Sequence, residues 1–442
     1  MTDTTGASRK AAVGYYPYYV VGVLMLMYVL SFTDRAILGL MVDPIRRELD
    51  LTDTHISILS GFAFALFYSV MGLPFAKWAD TRNRKILILF GAVFWSLATV
   101  ACGLASGFWG LLVARFAVGI GEATLSPAAY SMIADYFPPR KLGFAMSLYS
   151  SGITIGGGLA MVIGGSLVGW AQAQAVAVPG LGDLSGWRLA LMMIGAFGLA
   201  VPLLLAVTVR EPSRRPTAQD ADASPDLIDV FRFIAANGRV FFGIYGGYTI
   251  ATIMALAQII WAPSFFIRVH HMDVRAFGLL YGVIMGVGGT LGLMAGGLLS
   301  DAIAKRGRRD APMIVILMAV LLQFPFFVSA FLVPDRSLAL ILFGGAVLSL
   351  SLAGGLQGAT LQLVSPERMR GRISAIYIIL TSITGGGLVP VFIAALSEHV
   401  FTGENALGKA LAATAVLTLP VAALILAFSL RQMREAVVKL RE

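Results

Sequence analysis

The sequence predicts an all-α membrane protein: twelve transmembrane helices in two pseudo-symmetric six-helix bundles. Three observations lead there. Of 442 residues, 58% are hydrophobic and 13% charged, with a mean hydropathy of +0.83, whereas soluble chains carry about a quarter charged residues. The apolar residues fall in unbroken runs of about twenty or more, the length a helix needs to cross the hydrocarbon core. Stretches of the first half recur in the second. Together these exclude a soluble enzyme, a nucleic-acid binder and an outer-membrane barrel, whose strands alternate over about ten residues.

Twelve segments meet the length requirement: 17–42, 55–76, 86–106, 109–133, 143–169, 187–209, 239–266, 275–300, 312–333, 337–363, 372–396 and 406–430. The long polar break Arg210–Asn237 is rich in Pro, Ser, Asp and Ala and reads as a flexible linker entering a short amphipathic helix. It divides the chain into an N-terminal six-helix bundle (1–209), a cytoplasmic linker (210–238) and a C-terminal six-helix bundle (239–442). Met1–Tyr16 is mostly polar, so no cleavable signal is expected. Cys102 is the only cysteine and lies in an apolar run, which excludes an internal disulfide.

Charge sets the orientation. Both termini and loops 2–3, 4–5, 6–7, 8–9 and 10–11 hold 24 of the 33 lysines and arginines, and the opposite loops hold seven. The positive-inside bias places both termini in the cytoplasm of a chain spanning the cell's inner (plasma) membrane. The net charge of +9 is therefore a topology signal, with anionic lipid contact as a by-product and no nucleic-acid partner implied.

The duplication has a nearly constant offset. AKWADTRNRK (76–85) answers GLLSDAIAKRGRR (297–309), placing Asp80 221 residues from Asp301. Gly143 and Gly371 are 228 apart, and the GGG runs at 156–158 and 385–387 are 229 apart. Parallel six-span halves imply a pseudo-two-fold along the membrane normal and a midplane site between bundles.

The loop Ala76–Lys85 resembles the loop signature of the major facilitator superfamily, with Ala76 where Gly is usual and Thr81 where a basic residue is usual. Asn83-Arg84-Lys85, TDR (33–35), FWSL (94–97), RFAVGIGEA (115–123) and IADYFPP (133–139) are similar to the Spinster branch. The resemblance is densest over spans 1–5. It implies the major facilitator fold, alternating access, a monomer, and substrates of the sphingosine-1-phosphate or lysophospholipid kind.

Apart from residues at the loop ends, four charged residues lie inside spans: Asp34 and Arg35 in span 1, Arg115 and Glu122 in span 4. Mid-bilayer charges are costly and normally face a cavity or a partner. Arg115 and Glu122 lie two helical turns apart on one face, too far for a direct pair. Asp34 and Arg35 diverge by about 100°, and sequence does not decide which faces the cavity. Structural pairing of spans 1 and 4 is one reading. The other is that Arg35 and Arg115 grip an anion while a neighbouring acid, Asp34 first and Glu122 second, trades a proton for it. The resemblance places all four at positions for proton and substrate handling. The second half offers neutral groups, among them Tyr245, Tyr248, Gln357 and Tyr377. A site charged on one side and neutral on the other suits an anionic amphiphile, with a small organic anion as the alternative.

Asp80, Arg84, Lys85 and Arg140, repeated around Asp301, read as positive-inside anchors or, through the resemblance, as a cytoplasmic gate. GENALGKA (403–410) misses the phosphate-loop pattern at Ala410, so no nucleotide is expected. An ion gradient, taken as protons, is the expected energy source, with no cofactor or metal. An intramembrane enzyme lacks a His or Cys beside Asp34 or Glu122. A sensor that binds without turnover is the remaining rival.

Overall fold

A computed structural model describes residues 14–172, 176–178, 182–214, 227–366 and 369–439. It contains twelve helices long and apolar enough to cross a membrane: spans 1 to 6 are Tyr15–Glu48, Asp53–Ala79, Arg84–Leu104, Phe108–Tyr136, Phe144–Trp170 and Gly186–Thr208. Spans 7 to 12 are Gly238–Arg268, Val274–Lys305, Ala311–Leu332, Arg336–Leu363, Arg372–Val400 and Ala406–Val437. Each predicted segment coincides with one of them, and four (86–106, 143–169, 187–209 and 312–333) run one or two residues past a helix end. Several helices outrun the apolar run, span 1 by several residues, because backbone bonding continues past the hydrocarbon edge in polar sequence. Two short strands depart from the all-helical expectation. β1 (Val176–Val178) pairs antiparallel with β2 (Gly182–Leu184) in loop 5–6.

The packing repeats with the sequence. Span 1 lies on 5, 2 on 4, and 3 on both 4 and 6. Six spans later, 7 lies on 11, 8 on 10, and 9 on both 10 and 12. Across the halves, span 1 meets 7, 2 meets 11 and 5 meets 8, and the last two are the same contact under a two-fold exchange. These seams are close because glycines line them. A Cβ on Gly39 would come 2.5 Å from the Ile259 carbonyl oxygen, on Gly61 2.4 Å from that of Gly386, and on Gly278 2.4 Å from that of Met161. Small residues let backbones approach where no hydrophobic force drives helix association.

Spans 2, 7, 8 and 11 each contain widened π turns, at Ile58–Phe62, Phe242–Gly247, Ile284–Gly288, Ser382–Leu388 and Leu396–Val400. Such turns free carbonyls from the regular ladder and recur at functional sites. Their sequence signal is weak, apart from the glycines in four of them.

The inner side, defined here as that of loops 2–3 and 8–9, is tied down by ion pairs. The first residues after span 6 are fixed: Glu211 accepts from Arg84 Nε at 2.7 Å and from the Lys85 amide at 2.8 Å, while Arg214 caps the end of span 2 through the Ala79 and Arg82 carbonyls. The amphipathic helix Leu227–Ala236 forms as expected, with Val230 buried and Ile228 and Phe231 exposed.

In the second half, buried Asp310 takes Arg308 at 2.9 Å and Arg434 of the last helix at 3.3 Å. Burial alone would raise the Asp310 carboxyl, but the hydrogen bonds from Arg308, its own backbone and Arg434 hold it below the usual range. Its contribution is therefore present above the ordinary aspartate value and is lost as pH falls through the lower folded value. Asp310→Asn should cost about 1–3 kcal/mol in equilibrium unfolding in micelles at neutral pH. The gap from wild type should close as the buffer is made acidic below the ordinary value; a gap independent of pH would refute the ionic clasp.

Candidate functional site

Spans 1 and 4 cross at mid-membrane and bring together residues that the sequence leaves apart. Arg35 Nε lies 2.5 Å from Glu122 Oε2, which also accepts from Ser31 Oγ at 2.6 Å. This close pair is a pairing of spans 1 and 4, one of the two readings the sequence leaves open; spacing along one helix says nothing of the helix that crosses it. The Arg35 guanidinium sits 4.4 Å and 4.5 Å from the ring centres of Phe64 and Tyr68, which shield its faces as cation–π partners. Its side chain remains 21% exposed, whereas that of Glu122 is fully buried.

Asp34 points the other way, into the first half. It is 2% exposed; Thr99 Oγ1 donates to Oδ2 at 2.7 Å, and Oδ1 has no hydrogen-bond partner. Arg35, not Asp34, therefore faces the partly open side. Arg115 is 1% exposed. Its Nε donates to the Leu59 carbonyl, 3.4 Å away in the π turn of span 2, and its Nη2 is unpartnered. Arg115 sits in an apolar nest of Leu38, Val42, Ile56 and Leu111. Asp34 and Arg115 thus form a second buried set of opposite sign, each with an unsatisfied polar atom. Unsatisfied buried groups are rare and mark strained or working sites.

Tyr68 also lines a cavity of about 370 Å³ on the inner half, between spans 2, 4 and 11. Its walls are Tyr68, Ser69, Leu73, Ser126, Tyr130, Ser374, Ile378 and Ile379, among others. Tyr130 leads back into a tyrosine cluster: its ring meets Tyr149 edge-on at 5.3 Å, and Tyr149 stacks on Tyr28 at 4.7 Å. Sequence reasoning missed these tyrosines, since single tyrosines in membrane spans are common interface residues. Their concentration in spans 1, 2, 4 and 5 was the available signal.

The second-half residues also assemble. Tyr377 Oη donates to Gln357 Oε1 at 2.9 Å, and Gln357 Nε2 donates to Thr252 Oγ1 at 3.3 Å. Tyr245 stacks on Tyr377 and donates to the Ile373 carbonyl at 3.0 Å; Tyr248 packs edge-on against Tyr377, with its hydroxyl buried and unpartnered.

The expected inner-gate residues scatter. Arg84 is buried against Asp135 and Glu211, and Lys85 Nζ donates to the Ala206 carbonyl at 2.7 Å. Both bind within the first half. Asp301 is exposed, and the side chains of Asp80 and Arg140 lie outside the described residues. The cross-half ion pairs are instead on the outer side, where Arg268 meets Asp43 and Asp53 at 2.6 Å each. The outer side is thus tied across the halves, and the cavity between spans 2, 4 and 11 lies toward the inner side. No group of three or more His, Cys, Asp or Glu suited to a metal occurs among the described residues.

Removing one partner of a buried pair strands the other charge at a cost of about 3–5 kcal/mol. Arg35→Ala should therefore destabilise strongly in chemical unfolding, and adding Glu122→Gln should recover most of the loss. A double variant as unstable as the single one would show that Arg35 acts through packing alone.

A family model described as Major Facilitator Superfamily matches residues 24–390. An MFS-type efflux pump of Mycolicibacterium smegmatis is 30% identical over 404 residues, 88% of this chain and 87% of that protein. A hexuronate transporter of Bacillus subtilis is 26% identical over 370 residues, 82% of this chain and 84% of that protein. A crystal structure of a bacterial homologue of the human lysosomal transporter Spinster, inward-facing and unoccupied, aligns with a TM-score of 0.82 at 28% identity, covering 96% of this chain and 98% of that one. Fold, buried charges and relatives agree: the chain belongs to the Major Facilitator Superfamily and, within it, resembles the Spinster transporters.

Proposed function

We propose that this protein is a proton-coupled secondary transporter of an anionic amphiphile, of the sphingosine-1-phosphate or lysophospholipid kind, working by alternating access. One observation carries the reading. Arg35, the partly exposed arginine of span 1, packs on Tyr68, which also lines a largely apolar cavity on the inner half, and its counter-ion is a buried acid. A headgroup anion at Arg35 with its tail along Leu73, Ile378 and Ile379 fits that arrangement. The chemistry follows from the pair. Arginine stays charged, so the acid must yield: a proton on Glu122 releases Arg35 to the anion, and the anion's departure re-forms the pair and returns the proton. Asp34, facing Arg115, is the second titrating acid and couples the buried set to the same exchange. In this reading the proton gradient drives the cycle without a cofactor, and the chain works as a monomer in the cell's inner (plasma) membrane, both termini in the cytoplasm.

A second reading, proton-coupled movement of a small organic anion, is favoured by the Tyr377–Gln357–Thr252 hydrogen-bond chain, which suits hydroxyl groups, and by the similarity to a hexuronate transporter.

Proteoliposomes under an imposed pH gradient separate them. Lysophosphatidic acid and sphingosine-1-phosphate should be moved, and glucuronate should not; the reverse result selects the second reading. Asp34→Asn should abolish gradient-driven flux with the fold intact, and Glu122→Gln should leave anion binding nearly independent of pH. Wild-type pH dependence in both variants would refute the proton exchange.

A further inference from the structure

We propose that the hydroxyls of Tyr28, Ser126 and Tyr149, entered from the cavity at Tyr130, form the inlet through which Glu122 exchanges its proton with the inner side. The inference rests on the proton exchange at Glu122 proposed above. Two polar stripes face each other where spans 1 and 4 cross. On span 1, Tyr28, Ser31 and Arg35 follow at steps of three and four residues; on span 4, Glu122, Ser126 and Tyr130 follow at steps of four. Such steps keep each stripe on one side of its helix. Ser31 already reaches across, donating to Glu122 Oε2 at 2.6 Å. Tyr149 of span 5 closes the third side, stacked on Tyr28 at 4.7 Å and met edge-on by Tyr130 at 5.3 Å. Ser126 is the polar neighbour of both Tyr28 and Tyr149.

Exposure falls along this row. Tyr130 and Ser126 line the cavity, and Tyr130 is 39% exposed; Tyr28 is 9% exposed, Tyr149 and Ser31 are fully buried, and Glu122 is 1% exposed. Two of its atoms, Tyr149 Oη and Glu122 Oε1, are buried without a hydrogen-bond partner. A cluster that served packing alone would satisfy them, since an unsatisfied buried group costs about 1–3 kcal/mol. A hydroxyl both accepts and donates. Each can take a proton from the cavity side and hand its own onward, so the hydroxyls end as they began and only the Glu122 carboxylate becomes an acid. Around Arg115, toward the outer side, the surroundings turn aliphatic at Leu38, Val42, Ile56 and Leu111. The ionisable groups about Glu122 are Arg35, Asp34 and Tyr28 from span 1, Tyr68 from span 2, Tyr149 from span 5, and Arg115 and Tyr130 on its own helix. Arginine keeps its charge and tyrosine its proton near neutral pH, so the row passes a proton without storing one.

A conduit sets how fast the acid is protonated, not the pH at which it is half protonated, and this separates it from a structural role. The test uses the full chain in nanodiscs, without substrate, followed by infrared difference spectroscopy after a rapid drop in pH. The wild type should develop a protonated-carboxyl band that Glu122→Gln lacks. In Ser126→Ala and Tyr28→Phe that band should grow about a hundredfold more slowly, the low end for a positioned proton-transfer group. Its midpoint pH should stay in place, and the growth should slow further in heavy water. Wild-type rates in both variants overturn the proposal, as does a rate change fully accounted for by a moved midpoint. A wild-type protein with no Glu122 band sinks the proton exchange at Glu122 and the inlet together, so the two failures are told apart. Should Tyr28→Phe fail to fold, Ser126→Ala decides alone.

Discussion

Everything distinctive in this molecule depends on keeping ionised side chains inside a hydrocarbon layer. An unpaired charge there is expelled or neutralised, so each one dictates its neighbourhood. Arg35 and Glu122 meet at the crossing of spans 1 and 4, with Ser31 sharing the same carboxylate oxygen and Phe64 and Tyr68 covering the guanidinium. Asp34 and Arg115, like Glu122, each keep a buried polar atom without a hydrogen-bond partner. The outer arginine, Arg268, repeats the theme at the rim, where it bridges bundles instead of helices of one bundle.

The second constraint is duplication. A two-fold relation turns the 2–11 seam into the 5–8 seam, and glycines permit close backbone contact at both. The ionic groups do not share the symmetry: the mid-span charges belong to the first half, and the second supplies hydroxyls and an amide. Symmetry thus provides a frame able to rock, and asymmetry supplies the chemistry.

Most of the frame was legible in the sequence. Span number follows from apolar runs, since no soluble pattern produces twelve of them, and the duplication follows from three matches at nearly constant offset. Asp34, Arg35, Arg115 and Glu122 stand out because charges are rare there. Their partnerships were not legible. Periodicity gives a residue's direction about its own axis but not the crossing helix, so Arg35–Glu122 and Arg115–Leu59 emerge only in three dimensions. Asp43, Asp53 and Arg268 were passed over as loop-end charges. Opposite charges at matching depth on the ends of spans 1, 2 and 7 were the available clue. The π turns leave almost no trace, because one extra residue in a turn changes no composition.

The four mid-span charges sum to zero and ride on one bundle. Rocking that bundle therefore carries no net charge through the membrane potential. A single added proton changes this, because one elementary charge crossing the full field is worth about 2.3 kcal/mol per 100 mV. The unloaded form is then electrically silent, while a form carrying one extra proton feels the voltage. Whether a whole cycle is electrogenic would depend on the cargo's charge alone, set against the protons that accompany it.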